Sequence, residues 1–145
     1  MFSISFYIFS LFLSYTDFKK FLVPNDLTAT LALMLLVFGI LESKIYISSI
    51  VLVFTILALF IAVLLINRTQ ILGGGDIKYM MLVGLFLGLE KFFLFLIISG
   101  VLQTLALLYK QQIKKRRVAP MVPMMFLAVI IVELLIAFNI YSLKL

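Results

Sequence analysis

Six apolar runs, separated by short polar segments, make up most of the chain. They cover residues 2–15, 27–41, 45–66, 77–89, 92–109 and 121–141. A helix needs about 20 mostly apolar residues to cross the hydrocarbon core of a bilayer, and several runs approach that length. The pattern therefore predicts an all-α polytopic membrane protein with about six transmembrane helices joined by short loops.

The run 77–89 is short for a span, and a re-entrant or interfacial segment has a similar length. Charge decides between these alternatives. If the region 77–109 crossed the membrane only once, the basic segment 110–117 would lie outside the cell. That would contradict the tendency of positively charged loops to stay in the cytoplasm, so we predict six spans.

Lysine and arginine fall unevenly on the two sides of a six-span arrangement. One side receives nine of them: Lys19, Lys20, Arg68, Lys78, Lys110, Lys114, Lys115, Arg116 and Arg117. The other side receives Lys44, Lys91 and Lys144. The positive-inside rule then places the nine in the cytoplasm and both termini outside.

The composition agrees with a membrane location. Of the 145 residues, 66% are hydrophobic and 12% are charged, which is far outside the range of soluble globular domains. The first run lacks a basic segment before it and a small-residue cleavage site after it, so we interpret it as a span. We expect one transmembrane domain, residues 1–145, as a multi-pass protein of the cytoplasmic membrane.

The net charge of +6 points to anionic lipids as partners, because basic residues beside spans usually face their headgroups. Nucleic-acid binding is not expected, since the sequence offers no basic soluble surface. The oligomeric state is not indicated by any pattern in the chain.

Cysteine and histidine are both absent. Their absence excludes disulfides, thiol nucleophiles, Ser–His catalysis and the usual zinc ligands, and we expect no metal and no cofactor. Hydrolytic chemistry must then use carboxylates, hydroxyls or lysines. The chain has only three aspartates and three glutamates, which keeps the set of candidates small.

The three aspartates are predicted at the cytoplasmic ends of helices. Asp26 follows Pro24 and Asn25, and we interpret it as the N-cap of the second helix. Asp17 lies at the carboxyl end of the first helix, where the macrodipole disfavours an anion, so it is a candidate functional residue. An ordinary interfacial charge beside two lysines is the alternative for Asp17.

Asp76 follows a run of three glycines, Gly73, Gly74 and Gly75. Glycines beside a membrane helix permit close backbone approach, but a flexible linker has the same composition. Glu133 lies inside the last apolar run, where an ionisable group is costly unless it is paired or faces a cavity. It has either a structural hydrogen-bonding role or a role in ion binding.

Two separated segments resemble the type IV prepilin peptidase family, whose members are intramembrane aspartic proteases with a GxGD motif. The first, DFKKFLVPNDLT at 17–28, has an aspartate, basic residues and an aliphatic residue before Pro24 and Asn25. The second, GGGDIK at 73–78, contains the GxGDxK core. A segment before the last helix is similar to a Pro-x-x-Pro element of the family, with Val122 where glycine is expected. The resemblance covers nearly the whole chain.

The resemblance implies that Asp17 and Asp76 are the catalytic pair. It implies substrate-binding or supporting roles for Pro24, Asn25, Gly73, Gly75 and Lys78. The partners it implies are prepilin-like membrane proteins, whose short basic leader is removed at the cytoplasmic face. Larger family members carry a segment, often cysteine-rich, between their first helices, and many methylate the product. This chain lacks that segment and resembles the compact forms of tight-adherence pilus and preflagellin systems, so no methyltransferase activity is expected.

Two carboxylates hydrolyse a peptide when one is ionised and activates water while the other is protonated. The dipoles of the first and fourth helices favour Asp76 as the base and Asp17 as the acid. Lys78 either tunes this pair or contacts lipid headgroups. The alternatives to a peptidase are a small ion- or proton-coupled transporter or channel subunit, and a structural assembly factor.

Overall fold

The computed structural model describes residues 1–20, 23–67, 74–114 and 120–138, and all regular structure in this part of the chain is α-helical. The five helices are α1 (Phe2–Lys20), α2 (Asn25–Leu41), α3 (Ile47–Asn67), α4 (Gly74–Lys114) and α5 (Met121–Ala137). The all-α class predicted from the apolar runs is confirmed. The six spans and the side on which the termini lie stay predictions.

The second helix begins earlier than the apolar run indicates. Pro24 occupies the N-cap position in an extended conformation, with φ −62° and ψ 130°, and no side chain caps this helix end. A fixed φ near this value suits a residue that leads into a helix. Asp26 consequently lies in the first turn of α2, and its interpretation as the N-cap is wrong.

The two runs 77–89 and 92–109 belong to one element, α4, which bends at Gly88. This residue has φ 75° and ψ 172°, a conformation that glycine adopts without the steric penalty of a side chain. A methyl group added to Gly84 would lie 3.5 Å from the Phe92 ring, although eight residues span about 12 Å along a straight helix. The chain therefore folds back at Gly88 and forms two arms, 74–87 and 89–114.

The helix α4 lies at the centre of the bundle and packs against α2, α3 and α5, while α1 packs against α2 and α5. Aromatic rings join α1 to the first arm of α4. The Phe6 ring stacks on Phe86 with centroids 4.0 Å apart, and it faces Tyr79 at 6.4 Å. The two helices run antiparallel. About three turns after Phe6, α1 reaches Asp17, and about three turns before Phe86, α4 contains Asp76, so both aspartates lie at the same end of the bundle.

We call the end of the bundle that contains Asp17 and Asp76 the aspartate end, and the end that contains Gly88 the bend end. At the bend end, the carboxylate of Glu42 binds the amino group of Met1 and lies 2.9 Å from a lysine ammonium group. These two cations lower the pKa of Glu42 to about 2. The contact joins the start of α1 to the end of α2.

The outer surface of the bundle is strongly apolar. Phe54 is 65% exposed and Leu59 is 62% exposed, as is typical of a surface that faces lipid. Among the described helices, α4 over Gly74–Gln112 is long and apolar enough to cross a membrane, by length and composition. Shorter apolar helices cover Asn25–Leu41, Ile47–Val63 and Met121–Ala137.

Candidate active site

Asp17 lies in the last turn of α1 and is almost completely buried, with 5% of its surface exposed. Its Oδ2 accepts a hydrogen bond of 3.1 Å from the Val122 N–H. Val122 belongs to the first turn of α5, where backbone N–H groups have no partner within the helix, and Pro120 before it provides no side-chain cap. Asp17 therefore caps the amino end of α5, which offsets the unfavourable position of its charge at the carboxyl end of α1.

Asp76 lies in the first turn of α4 and is half-buried. The negative charge of Asp17 acts on its carboxyl group. The aromatic register between α1 and α4 explains this approach, because it brings two residues from distant segments to the same level of the bundle. Two neighbouring carboxylates resist simultaneous ionisation, so such a pair holds one proton more readily than an isolated aspartate does.

A positive charge from the second arm of α4 also reaches the site. Lys110 acts electrostatically on Asp17. Asp17 thus interacts with residues near both ends of α4, Asp76 and Lys110, as the fold-back at Gly88 requires. The sequence placed Lys110 in a basic loop on the same side as the aspartates, but it offered no signal that singled this lysine out from its neighbours.

The two sequence motifs are in direct contact. Lys78 Nζ donates a hydrogen bond of 2.7 Å to Asn25 Oδ1. Asn25 is the first residue of α2 and follows Pro24, while Lys78 lies two residues after Asp76. This bond links the start of α2 to the first turn of α4, beside the aspartate pair.

The glycines before Asp76 do not have equivalent surroundings. A Cβ atom added to Gly75 would lie 2.7 Å from Val23 Cβ, whereas one added to Gly74 would meet nothing within 4 Å. The first contact is too short for a side chain, so Gly75 allows the two motifs to approach each other. Gly73 lies outside the described residues.

Two other acidic residues have surroundings that differ from those of the pair. Asp26 is exposed on the first turn of α2. Glu133 lies 3.4 Å from Lys91 and lines a cavity of about 370 Å³ at the bend end. The pairing agrees with the structural alternative for Glu133. In the described part of the chain, no group of three or more acidic side chains comes together as a metal site would require.

Similarity to known proteins identifies the family of the chain. A model of the type IV leader peptidase family matches residues 4–109, which include both aspartates and both motifs. Comparison with curated proteins gives no match. Comparison with solved structures gives none either. Because the family match covers more than half of the sequence, this chain belongs to the type IV leader peptidase family, a family of proteases.

Proposed function

We propose that this protein is an intramembrane aspartic endopeptidase that removes the short basic leader of prepilin-like membrane proteins, with Asp17 and Asp76 as its catalytic pair. The observation that carries the proposal is the approach of these two aspartates, since the charge of one acts on the other although they lie in separate motifs. Membership of the leader peptidase family supports the substrate class.

In the proposed reaction, the ionised carboxylate takes a proton from a water molecule while the water oxygen bonds to the carbonyl carbon of the scissile peptide, and the π electrons of the C=O bond move to the carbonyl oxygen. The C=O bond then reforms as the C–N bond breaks, and the protonated carboxyl group donates its proton to the departing amide nitrogen. Transfer of the proton from the first aspartate to the second restores the starting state. Every step uses carboxyl groups only, which suits a chain without histidine or cysteine.

We assign the base to Asp17 and the acid to Asp76. The dipoles of α1 and α4 alone favour the reverse, but they leave out α5. Asp17 accepts a hydrogen bond from the Val122 amide, and hydrogen bonds to charged groups stabilise by about 1.5–3 kcal/mol. A helix dipole contributes roughly 0.3–1 kcal/mol, so the hydrogen bond outweighs the dipole of α1 and leaves Asp17 the readier of the two aspartates to ionise.

The proposed location is the cytoplasmic membrane, as a multi-pass protein with about six spans and the aspartate end at the cytoplasmic face. The apolar outer surface and the folded α4 support this arrangement. The basic residues beside the spans then contact anionic lipids. A site at the rim suits a substrate whose helix stays in lipid while its leader reaches the aspartates. The proposal includes neither a cofactor nor methyltransferase activity.

A transporter or channel subunit would need an ionisable group free to bind ions within the bilayer. Glu133 is the acidic residue deepest in an apolar run, and it is paired with Lys91. The described contacts therefore favour the peptidase over ion transport.

The proposal is tested by co-expressing the protein with candidate prepilin-like substrates and measuring the mass of each substrate's N-terminus. We expect a mass decrease equal to the leader with the wild-type chain and the full-length mass with the Asp17→Asn/Asp76→Asn double variant. Leader removal by the double variant at the wild-type rate would contradict the proposed catalytic pair.

A further inference from the structure

A residue that carries a hydroxyl group lies one helical turn deeper in the bundle than each aspartate. Ser14 is three residues before Asp17 on α1, and Tyr79 is three residues after Asp76 on α4. Residues three apart share a helix face, so Ser14 and Tyr79 each lie on the helix face that carries the aspartate. Ser10 follows one turn further along α1.

These three hydroxyl groups are buried without partners. Ser10 and Tyr79 are both 0% exposed, and the Oγ atom of Ser14 is buried as well. None of the three has a hydrogen-bond partner within the described residues. Ser10 and Tyr79 face each other, but their oxygens do not meet the geometry of a direct hydrogen bond. The Tyr79 ring is held against Phe6.

Buried apolar residues lie next to the cluster along α1 and α4. Leu13 and Val83 beside it are fully buried and apolar. A hydroxyl group has one donor and two acceptor positions, and leaving them unused in the interior costs free energy. Folded proteins satisfy such groups with ordered water that makes two to four hydrogen bonds.

We infer that Ser10, Ser14 and Tyr79 bind ordered water directly behind the aspartate pair. The water site itself is independent of catalysis, but its use rests on the proposed function. When a substrate covers the rim, this water supplies the molecule that the ionised aspartate activates. The three residues are then positioning residues, which act through water rather than on the substrate.

Radiolytic hydroxyl-radical labelling of the full chain in detergent tests the site without an activity measurement. Radicals formed from bound water modify the aromatic ring beside it. We expect Tyr79 to be labelled at a rate comparable with Tyr15, which is 63% exposed, and well above Phe95, which is as buried as Tyr79. The Ser10→Ala/Ser14→Ala variant should lose the label. Labelling of Tyr79 no faster than that of Phe95 would overturn the inference.

Tyr79→Phe provides a second measurement, because it removes only the hydroxyl group. A dry, unpartnered hydroxyl predicts that Tm rises in this variant, whereas lost contacts with water predict that Tm falls. We expect a lower Tm and a decrease of about tenfold in kcat for leader removal with KM unchanged, because misplacement of a reacting group acts on the chemical step. A rise in Tm would overturn the water site. Unchanged kcat in Tyr79→Phe, together with loss of the Tyr79 label in Ser10→Ala/Ser14→Ala, would overturn the catalytic use of the water. If the wild-type chain cleaves no substrate, the result counts against the proposed function and not against the water site.

Discussion

Carboxylates at the two ends of the bundle have opposite neighbours. At the bend end, Glu133 lies 3.4 Å from one lysine and Glu42 lies 2.9 Å from another. At the aspartate end, the neighbour of the Asp76 carboxyl group is another carboxylate, since the charge of Asp17 acts on it. Asp17 is held there by a backbone amide of α5.

This difference separates charges that hold helices together from charges that can exchange a proton. A carboxylate beside a lysine stays ionised and has no proton to donate. In a pair of neighbouring carboxylates, the negative charge of one opposes ionisation of the other, so one of them retains a proton and the other can act as a base. The aspartate end thus has the electrostatic arrangement that two-carboxylate hydrolysis requires, and the bend end does not.

The largest expected effect comes from breaking the aspartate pair. Asp17→Asn and Asp76→Asn should each reduce leader removal by roughly a thousandfold, because an amide neither accepts nor donates the catalytic proton. The mass of the substrate N-terminus measures the loss. Asp17→Asn keeps a side-chain oxygen that accepts the Val122 N–H, so the cap of α5 survives and protein levels should stay normal.

Asp26→Asn is the matched control, since Asp26 lies on the same side of the bundle but outside the pair. It should retain most of the activity. Full cleavage by either variant of the pair, at a normal protein level, would remove the distinction between the two ends.

The second prediction tests whether the two ends lie on opposite sides of the membrane. The chain has no cysteine, so Lys78→Cys and Glu90→Cys each introduce a single thiol at an exposed position. A membrane-impermeant maleimide should label the first from the cytoplasmic side only and the second from outside only. Labelling of both from one side would show that 77–89 does not span.

Part of the difference between the two ends can be predicted from short patterns in the sequence. Apolar runs of near-spanning length predicted the helices, and two short motifs predicted that Asp17 and Asp76 belong together. The break in α4 was predicted at the charged residues 90–91, yet these are helical and the turn occurs at Gly88. Charge indicates where a chain leaves the hydrocarbon, whereas a sharp reversal needs a residue that tolerates positive φ.

The sequence does not indicate which groups the charged residues contact in the folded protein. No local pattern links Asp17 to the backbone of Val122, because their contact depends on how α1 packs against α5. The Lys91 to Glu133 contact likewise depends on the fold-back of α4. Long-range register, set here by rings such as Phe6 and Phe86, decides these contacts.

The third prediction concerns how closely the two motifs approach. Gly75→Ala places a methyl group against the Cβ of Val23, a stiff β-branched side chain that cannot move aside easily. We expect the first turn of α4 to shift and leader removal to fall by about tenfold, since small displacements of a reacting group are costly. Gly74→Ala is the control, because the added methyl group meets nothing. Equal activity of the two variants would mean that these glycines form only a linker.

The smallest effect is expected at the bend end. Lys91 and Glu133 are 38% and 35% exposed, and exposed ion pairs contribute about 0.2–1 kcal/mol. The Lys91→Gln/Glu133→Gln variant should therefore lower Tm slightly in detergent while leader removal stays at the wild-type rate, because the pair only fastens α5 to the second arm of α4. Glu133→Gln alone leaves a lysine without its partner and should lower Tm at least as much. Loss of cleavage by the double variant at an unchanged Tm would show that the bend end takes part in function, and the contrast between the two ends would then fail.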